Sequence, residues 1–518
     1  MKDNYDGRFA RLAPDDIITL LDKKERGLEL DSDSEASSAS TPNLLSRLPP
    51  PTPTLHLHLP RIHVPPLQTL FLRTLHFLLP SFLRHTHGPT ASLHPTAYLD
   101  GLRGLAALFV FFCHHAYTSF VITRGYGVDG HGSPLLLPIV RLLYSGPPMV
   151  CVFFVVSGYA LSLKPLRLAR ARNWDAFAGC LSSAVFRRAM RLFFPTTVST
   201  GMIALLLQLG AYEPTRAFAQ DRRYVRNVVE HHPVRLGSLG AQLRDWARTL
   251  FNFVHVWTWA PFGGSTPYDV HLWTIPVEFR CSAVLFLTLL GLGRVRAGIR
   301  LFLLSLIMAF TLRSDRWEMT LFFAGMMLAE LDLMRGAHRP PPSPLNLEPL
   351  NLESQPRISA FRTGLWRLVA LAALYLMSQP DEAAERTYGW RTLVRLIPGW
   401  FSEKYRFYQC LGSVFFVLAV GRERGLRRVF EARCVQYFGR ISYALYLVHG
   451  PVIHVLGYKV MGGAWGWTGV EGGYVGGWVG GTVVVVPLTV WVADVWWRGV
   501  DAPVVRLARW VEGKCEGG

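Results

Sequence analysis

The chain has 518 residues, of which 50% are hydrophobic, 13% aromatic and only 17% charged, and its formal net charge is +18. The distribution argues against a soluble helical protein: apolar residues fall in blocks of about 16 to 22, matching the roughly 20-residue helix that crosses a ~30 Å hydrocarbon core, whereas a soluble core helix interposes polar residues every third or fourth position. The basic excess does not indicate nucleic acid either. Lys164, Arg167, Arg170 and Arg172 sit at the end of an apolar block, as do Arg294, Arg296 and Arg300, and Arg422, Arg424, Arg427 and Arg428. This is the pattern of cytoplasmic loops that set topology against anionic lipid headgroups.

Taken in chain order, residues 1–63 are predicted to be a disordered tail. They are acidic and serine-rich at first (DSDSEASSAS), then proline-rich (LPPPTPT), too polar to bury a core. Residues 64–95 contain VPPLQTLFLRTLHFLLPSFL, an apolar stretch interrupted by Arg73, His76 and prolines, and are expected to lie in the membrane interface. Met1 to Asp22 hold no short apolar signal region, so the first span is expected to direct insertion. A membrane domain over 96–510 and a short tail over 511–518 complete the chain.

The predicted fold is an all-α integral membrane bundle of about ten transmembrane helices. The spans run near 102–122, 138–163, 186–210, 270–292, 298–312, 317–334, 365–379, 405–420, 436–457 and 476–497. With a cytoplasmic N-terminus, alternate loops collect Lys and Arg, except that residues 211–250, expected outside, hold seven arginines. The aromatic block FNFVHVWTWAPF (251–262) is a candidate re-entrant segment. Seven scattered cysteines form neither a disulfide framework nor a zinc pattern, and no metal site is expected.

Ionisable residues inside spans are costly and mark function. The first span, YLDGLRGLAALFVFFCHHAYTSF, carries Asp100, Arg103, His114 and His115. Arg103 and His114 are eleven residues apart, nearly on one helical face and about 16 Å apart along the axis; His115 points about 100° away. Glu278 in HLWTIPVEFRCS lies inside the fourth span beside Pro276, whose ring interrupts the backbone ladder. An imidazole and a buried carboxylate together suit general base catalysis, although an ion pair with Arg280 or another helix is the bland alternative for Glu278. Arg188 and Arg191 in FRRAMRLFFP are one turn apart and can face one phosphate, or simply set topology. His449 and His454 in GRISYALYLVHGPVIH are further candidates, with structural hydrogen bonding as the alternative.

In combination these blocks resemble the acyltransferase-3 family of multi-pass membrane O-acyltransferases. The resemblance spans about residues 96–510, through YLDGLRGLAALFVFFCHH, FFVVSGYALSL, FRRAMRLFFP, LWTIPVEF and GRISYALYLVHGP followed by VDAPVVRL, in the family's order. It implies His114 as the base that activates a hydroxyl acceptor, with Arg103 in the same motif. It implies Arg188 and Arg191 as ligands for the phosphates of an acyl-CoA co-substrate, acetyl-CoA first. Glu278 would belong to the active-site cavity, with His449 less defined. Two departures stand out: a second histidine, His115, adjoins His114, and Asp501 stands where a glutamate is frequent.

The expected function is transfer of an acyl group to a hydroxyl of a lipophilic small molecule, with no bound cofactor. The same chemistry on a cell-surface glycan is the alternative acceptor. A transporter using the buried Arg, His and Glu is the alternative class, but its usual inverted repeats are not seen. A diiron oxygenase would need more histidine clusters than His114-His115 and His231-His232. The ending KCEGG carries no retrieval signal, so endoplasmic reticulum and plasma membrane both suit the chain.

Overall fold

The computed structural model describes residues 67–84, 93–130, 132–257, 264–337 and 360–515. The expected tail over 1–63 lies outside these residues, as do parts of the 64–95 segment and of the 251–262 block. The described residues are helical, with no strand among them and one isolated bridge, between Thr266 and Asp269.

The helices that position the site are α1 (Leu67–Leu78), α2 (Ala97–Tyr117), α3 (Gly146–Arg170), α4 (Trp174–Gln208), α5 (Leu239–Val254), α6 (Thr274–Leu292), α7 (Ala297–Arg313), α8 (Trp317–Met334), α9 (Ala360–Met377), α10 (Arg406–Arg422), α11 (Arg433–Val452), α12 (Tyr458–Thr468), α13 (Tyr474–Trp496) and α14 (Ala502–Cys515). Ten expected spans thus have helical counterparts, but six segments are long and apolar enough to cross a membrane unaided. These are Ala97–Tyr117, Gly146–Arg170, Trp174–Gln208, Val270–Leu292, Ala360–Met377 and Tyr474–Cys515. The other four fall short for visible reasons. Helices α7 and α10 have 17 residues each, α8 carries Glu318, Glu330 and Asp332, and α11 is diluted by Gln436, Arg440, His449 and tyrosines.

Packing compensates the charges of α8. Glu330 lies 2.8 Å from Arg300 and 3.0 Å from Arg170, while Asp332 accepts from Tyr159 at 2.8 Å and pairs with Arg335 at 2.6 Å. Such acids are tolerated in an apolar core only when paired and hydrogen-bonded. Outward, Phe302, Leu306 and Phe310 of α7, Leu368 and Leu371 of α9, and Val475, Val479 and Val483 of α13 are all exposed. Apolar side chains on this scale facing water would make a soluble protein associate; facing lipid, they are the expected surface of a membrane protein.

The arginine-rich loop after α4 is also explained locally. Arg216 pairs with Glu213 and Arg223 with Asp221, Arg226 donates to the Val470 carbonyl over the Tyr474 ring, and Arg235 caps the Gln208 carbonyl. These arginines are structural ties, so they carry little topological signal. The expected 511–518 tail is partly helical, since α14 continues to Cys515.

Candidate active site

Helix α2 reaches α11 through two glycines. A Cβ on Gly104 would lie 2.3 Å from the Gly439 nitrogen, so only glycine lets these backbones touch; small residues serve this purpose between membrane helices. The contact aligns His114, in the last turn of α2, with His449 near the end of α11, the ring centroids 5.2 Å apart and nearly parallel. His271 enters from the short 3-10 turn Val270–Trp273 that leads into α6. Its ring centroid is 4.1 Å from that of His114 and 5.0 Å from that of His449.

Two carboxylates hold His271. Its Nδ1 is 2.8 Å from Asp269 Oδ1 and its Nε2 is 2.8 Å from Glu230 Oε1. The other Glu230 oxygen is 2.9 Å from His454 Nε2. Burial alone would push the Glu230 carboxyl up, but His271 and His454 outweigh it and hold Glu230 well below the usual carboxylate range. Glu230 is therefore an anion. A ring with a carboxylate on each nitrogen donates from both, so His271 is an imidazolium. His114 has no carboxylate of its own; Asp269 and Glu230 reach it only through His271.

The tautomer of His449 follows from its partners. Nδ1 lies 2.8 Å from the Tyr446 carbonyl and 3.2 Å from that of Leu445. Carbonyl oxygens only accept, so Nδ1 carries the hydrogen and Nε2 of the neutral ring is a lone pair. That Nε2 is buried without a hydrogen-bond partner, as is His114 Nδ1. One ligand nitrogen from each of His114, His271 and His449 lies within 4.8 Å of the others. The three could close on a divalent cation only if His271 released a carboxylate. His115 sits outside the cluster, its Nε2 2.8 Å from Thr482 Oγ1 and its ring against Phe111 and Trp478.

The remaining expected site residues gather roughly 10 to 16 Å further along the bundle. Glu278 is seven residues beyond His271, about 10 Å along the helix, and does not meet His114. It pairs with Arg188 at 2.7 Å and accepts from Ser157 at 3.0 Å, while Arg188 also donates to Ser282. The interhelix ion pair considered for Glu278 thus forms, with Arg188 as partner and not Arg280. Arg103 donates to Ser442 at 3.1 Å and pairs with Asp100 at 3.2 Å, both side chains partly exposed. Arg191 lies in the electrostatic reach of Arg188, Arg103 and Asp501, with no hydrogen bond or ion pair recorded for it among the described residues.

Between the histidines and the outside lies a cavity of about 360 Å³, with Glu230, Asp269, His271 and His454 among its lining residues and Tyr117, Tyr212, Tyr268 and Val228 as apolar walls. His114 sits one residue layer further in, against Tyr117 and His271. Reading the sequence for ionisable groups within spans singled out His114, His449 and His454 but passed over Glu230 and Asp269, which come from loops, and His271, which opens the expected span 270–292 in a 3-10 turn. The available signal was Asp269-x-His271 immediately before the Glu278 block.

The site joins a histidine cluster beside a cavity to an arginine cluster roughly 10 to 16 Å further along the helices, within a largely apolar bundle. The family model described as an acyltransferase domain matches residues 96–495, and the chain belongs to this family. It is similar to an O-acetyltransferase, PaAT-1, of Phomopsis amygdali, with 32% identity over 84% of this chain and 87% of the relative. Acyltransferase clz18 of Cochliobolus lunatus is 27% identical over 74% of this chain and 88% of its own length. Acyltransferase R4 of a Phoma species is 26% identical over 73% and 86%. No solved structure matches the chain. The protein is an acyl-transferring enzyme, which sets aside the transporter and oxygenase readings.

Proposed function

We propose that the protein is a membrane O-acetyltransferase that moves the acetyl group of acetyl-CoA to a hydroxyl of a lipophilic small molecule, with His114 as general base. The observation that carries this reading is the placement of His114. It adjoins an external cavity at one end of α2, and the same helix presents Arg103 to the arginine cluster about 16 Å away.

In this reaction the hydroxyl proton passes to His114 as the oxygen attacks the thioester carbonyl. The tetrahedral intermediate then collapses, the C–S bond breaks, and the proton passes from His114 to the departing CoA thiolate, which restores the base. Before transfer, Asp269, Glu230 and His271 carry a net charge of −1 by the assignments above. The proton gained by His114 arrives beside the His271 cation, at 4.1 Å between ring centroids, and the two carboxylates on the far side of that ring offset the added charge in the transition state. At the other pole, Arg188 is committed to Glu278, whereas Arg191 and partly exposed Arg103 remain to meet donor phosphates.

The cavity volume suits one small ligand, which favours a small alcohol over a glycan polymer. The four helices that fall short alone complete a ten-span bundle by packing against the other six, α8 with its acids paired. The exposed Phe71, Leu72 and Leu75 of α1 support an interfacial role for the segment before residue 96, ahead of a catalytic domain over 96–510. Endoplasmic reticulum or plasma membrane is the proposed setting.

The test is labelled acetyl-CoA supplied with an extract of candidate acceptors to microsomes bearing the wild type or His114→Ala. A labelled ester made only by the wild type supports both reaction and base. Equal labelling by the two removes His114 from the mechanism.

A further inference from the structure

The wall of the cavity holds buried polar atoms with no partner. Asp269 Oδ1 is taken by His271, but Asp269 Oδ2 is buried and has no hydrogen-bond partner. His454 Nε2 faces the Glu230 carboxylate, so it carries the hydrogen and donates there, which leaves Nδ1 as the free ring nitrogen. That Nδ1 is also buried without a partner. Deeper in, His449 Nε2 is a buried lone pair, fixed by the two carbonyls on Nδ1. A folded protein rarely leaves such atoms unmatched, and Asp269 and His454 both line the cavity, one from a loop and one from the π-helical turn Ile453–Gly457.

Two orphaned polar atoms on one cavity wall define the ligand by complement. We infer that the acyl acceptor carries at least one hydroxyl besides the one that is esterified, on a compact apolar frame, and that Asp269 Oδ2 and His454 Nδ1 hold this second hydroxyl. The inference rests on the acyl-acceptor reading above. The reacting hydroxyl points past His271 and Tyr117 towards His114. The frame packs on Tyr117, Tyr212, Tyr268 and Val228. Glu230 and Asp269 exclude an anionic acceptor, because a carboxylate beside them would meet like charge with little screening. They likewise keep the phosphates of the donor at the arginine pole.

Acylation leaves the second hydroxyl untouched, and this gives the test. Wild-type microsomes receive labelled acetyl-CoA and the extract; each labelled ester is isolated and treated with acetic anhydride. The expected product takes up at least one further acetyl group and bears no carboxylate. A labelled ester that takes up none, or that carries an acid, overturns the inference while leaving acyl transfer intact. If the wild type forms no labelled ester, the acyl-acceptor reading fails and takes this inference with it. With the isolated acceptor, Asp269→Asn keeps Oδ1 for His271 and turns the free oxygen into a donor. Its acceptor KM is expected to rise about tenfold, the scale of one lost hydrogen bond to a charged group, with the KM for acetyl-CoA unchanged. A purely structural role for Asp269 would lower kcat and leave acceptor KM alone, which also refutes the inference.

Discussion

Gly450, next to His449, is the most informative single position. It lies within α11, and its Cα faces the His271–Asp269 pair: an added Cβ would sit 2.9 Å from His271 Nδ1, 3.0 Å from Asp269 Oδ2 and 3.2 Å from Oδ1. Ordinary contact begins near 3.4 Å, so Gly450→Ala forces the pair aside by about half an ångström. The ring cannot retreat freely, because His114 lies on another side of it at 4.1 Å between centroids. Overpacking costs about 1–3 kcal/mol, and breaking the buried pair costs about 3–5 kcal/mol. If half or more of this reaches the transition state, acetyl transfer falls about 10- to 1000-fold. Elsewhere in the fold, alanine replaces a helical glycine with a gain of up to about 1 kcal/mol. Gly466→Ala in α12 meets nothing within 4 Å and serves as the matched control. Both variants are assayed in microsomes for labelled ester at equal protein level, with thermal stability in parallel. Wild-type activity in Gly450→Ala would refute the claim that the His271 brace works with His114.

The arginine pole should divide by function. Arg191→Ala removes a cation with no recorded ion pair, so acetyl-CoA KM should rise about tenfold with stability unchanged; a fall in melting temperature with unchanged KM would reverse its assignment. Arg188→Ala leaves Glu278 without its partner, and should cost about 2–4 kcal/mol of stability, read as a lowered melting temperature that Glu278→Gln in the same chain partly restores. Glu230 gives a pH prediction. Its folded value lies well below the ordinary 4.5, so its contribution is fully present above that value and is lost as pH falls through the folded one. Melting temperature should therefore lose a low-pH slope, confined to below about pH 4.5, when Glu230 becomes Gln. A slope unaltered by the substitution would show that Glu230 is not the group responsible.

The parts of this protein that the sequence made legible are those governed by local rules. Runs of apolar residues gave ten helical segments because length and hydropathy are additive along a chain. They did not separate helices that cross unaided from those such as α8, whose Glu330 and Asp332 are acceptable because Arg300, Arg170 and Tyr159 arrive from other segments. Helical spacing placed Arg103 and His114 at two levels of one face, and the structure has them at opposite poles of α2. The same reasoning could not choose a carboxylate for His114. Glu278 was the visible acid, since it lies inside a span, yet Arg188 claims it at 2.7 Å. The acids that matter to the histidines come from loops, where a lone Asp or Glu carries no periodic signal.

That division has a consequence for how the two substrates are kept apart. An acyl-CoA donor is a polyanion and needs fixed positive charge; the acceptor must surrender a proton to a neutral imidazole. If both requirements were met at one end of the bundle, arginines close to His114 would oppose its protonation, and Asp269 and Glu230 would repel the donor phosphates. The fold avoids the conflict by geometry. Helices α2, α6 and α11 each carry one group for each pole: Arg103 and His114 on α2, Glu278 with His271 at the start of α6, and Ser442 with His449 on α11. On the proposed reaction, each helix would set the distance between the charge that holds the donor and the base that activates the acceptor. Lengthening any one by a residue turns its far pole about 100° away. A single alanine inserted in α2 between Arg103 and His114 should then abolish transfer while the protein still enters the membrane. Retained activity would mean that the two poles do not act on one acyl group.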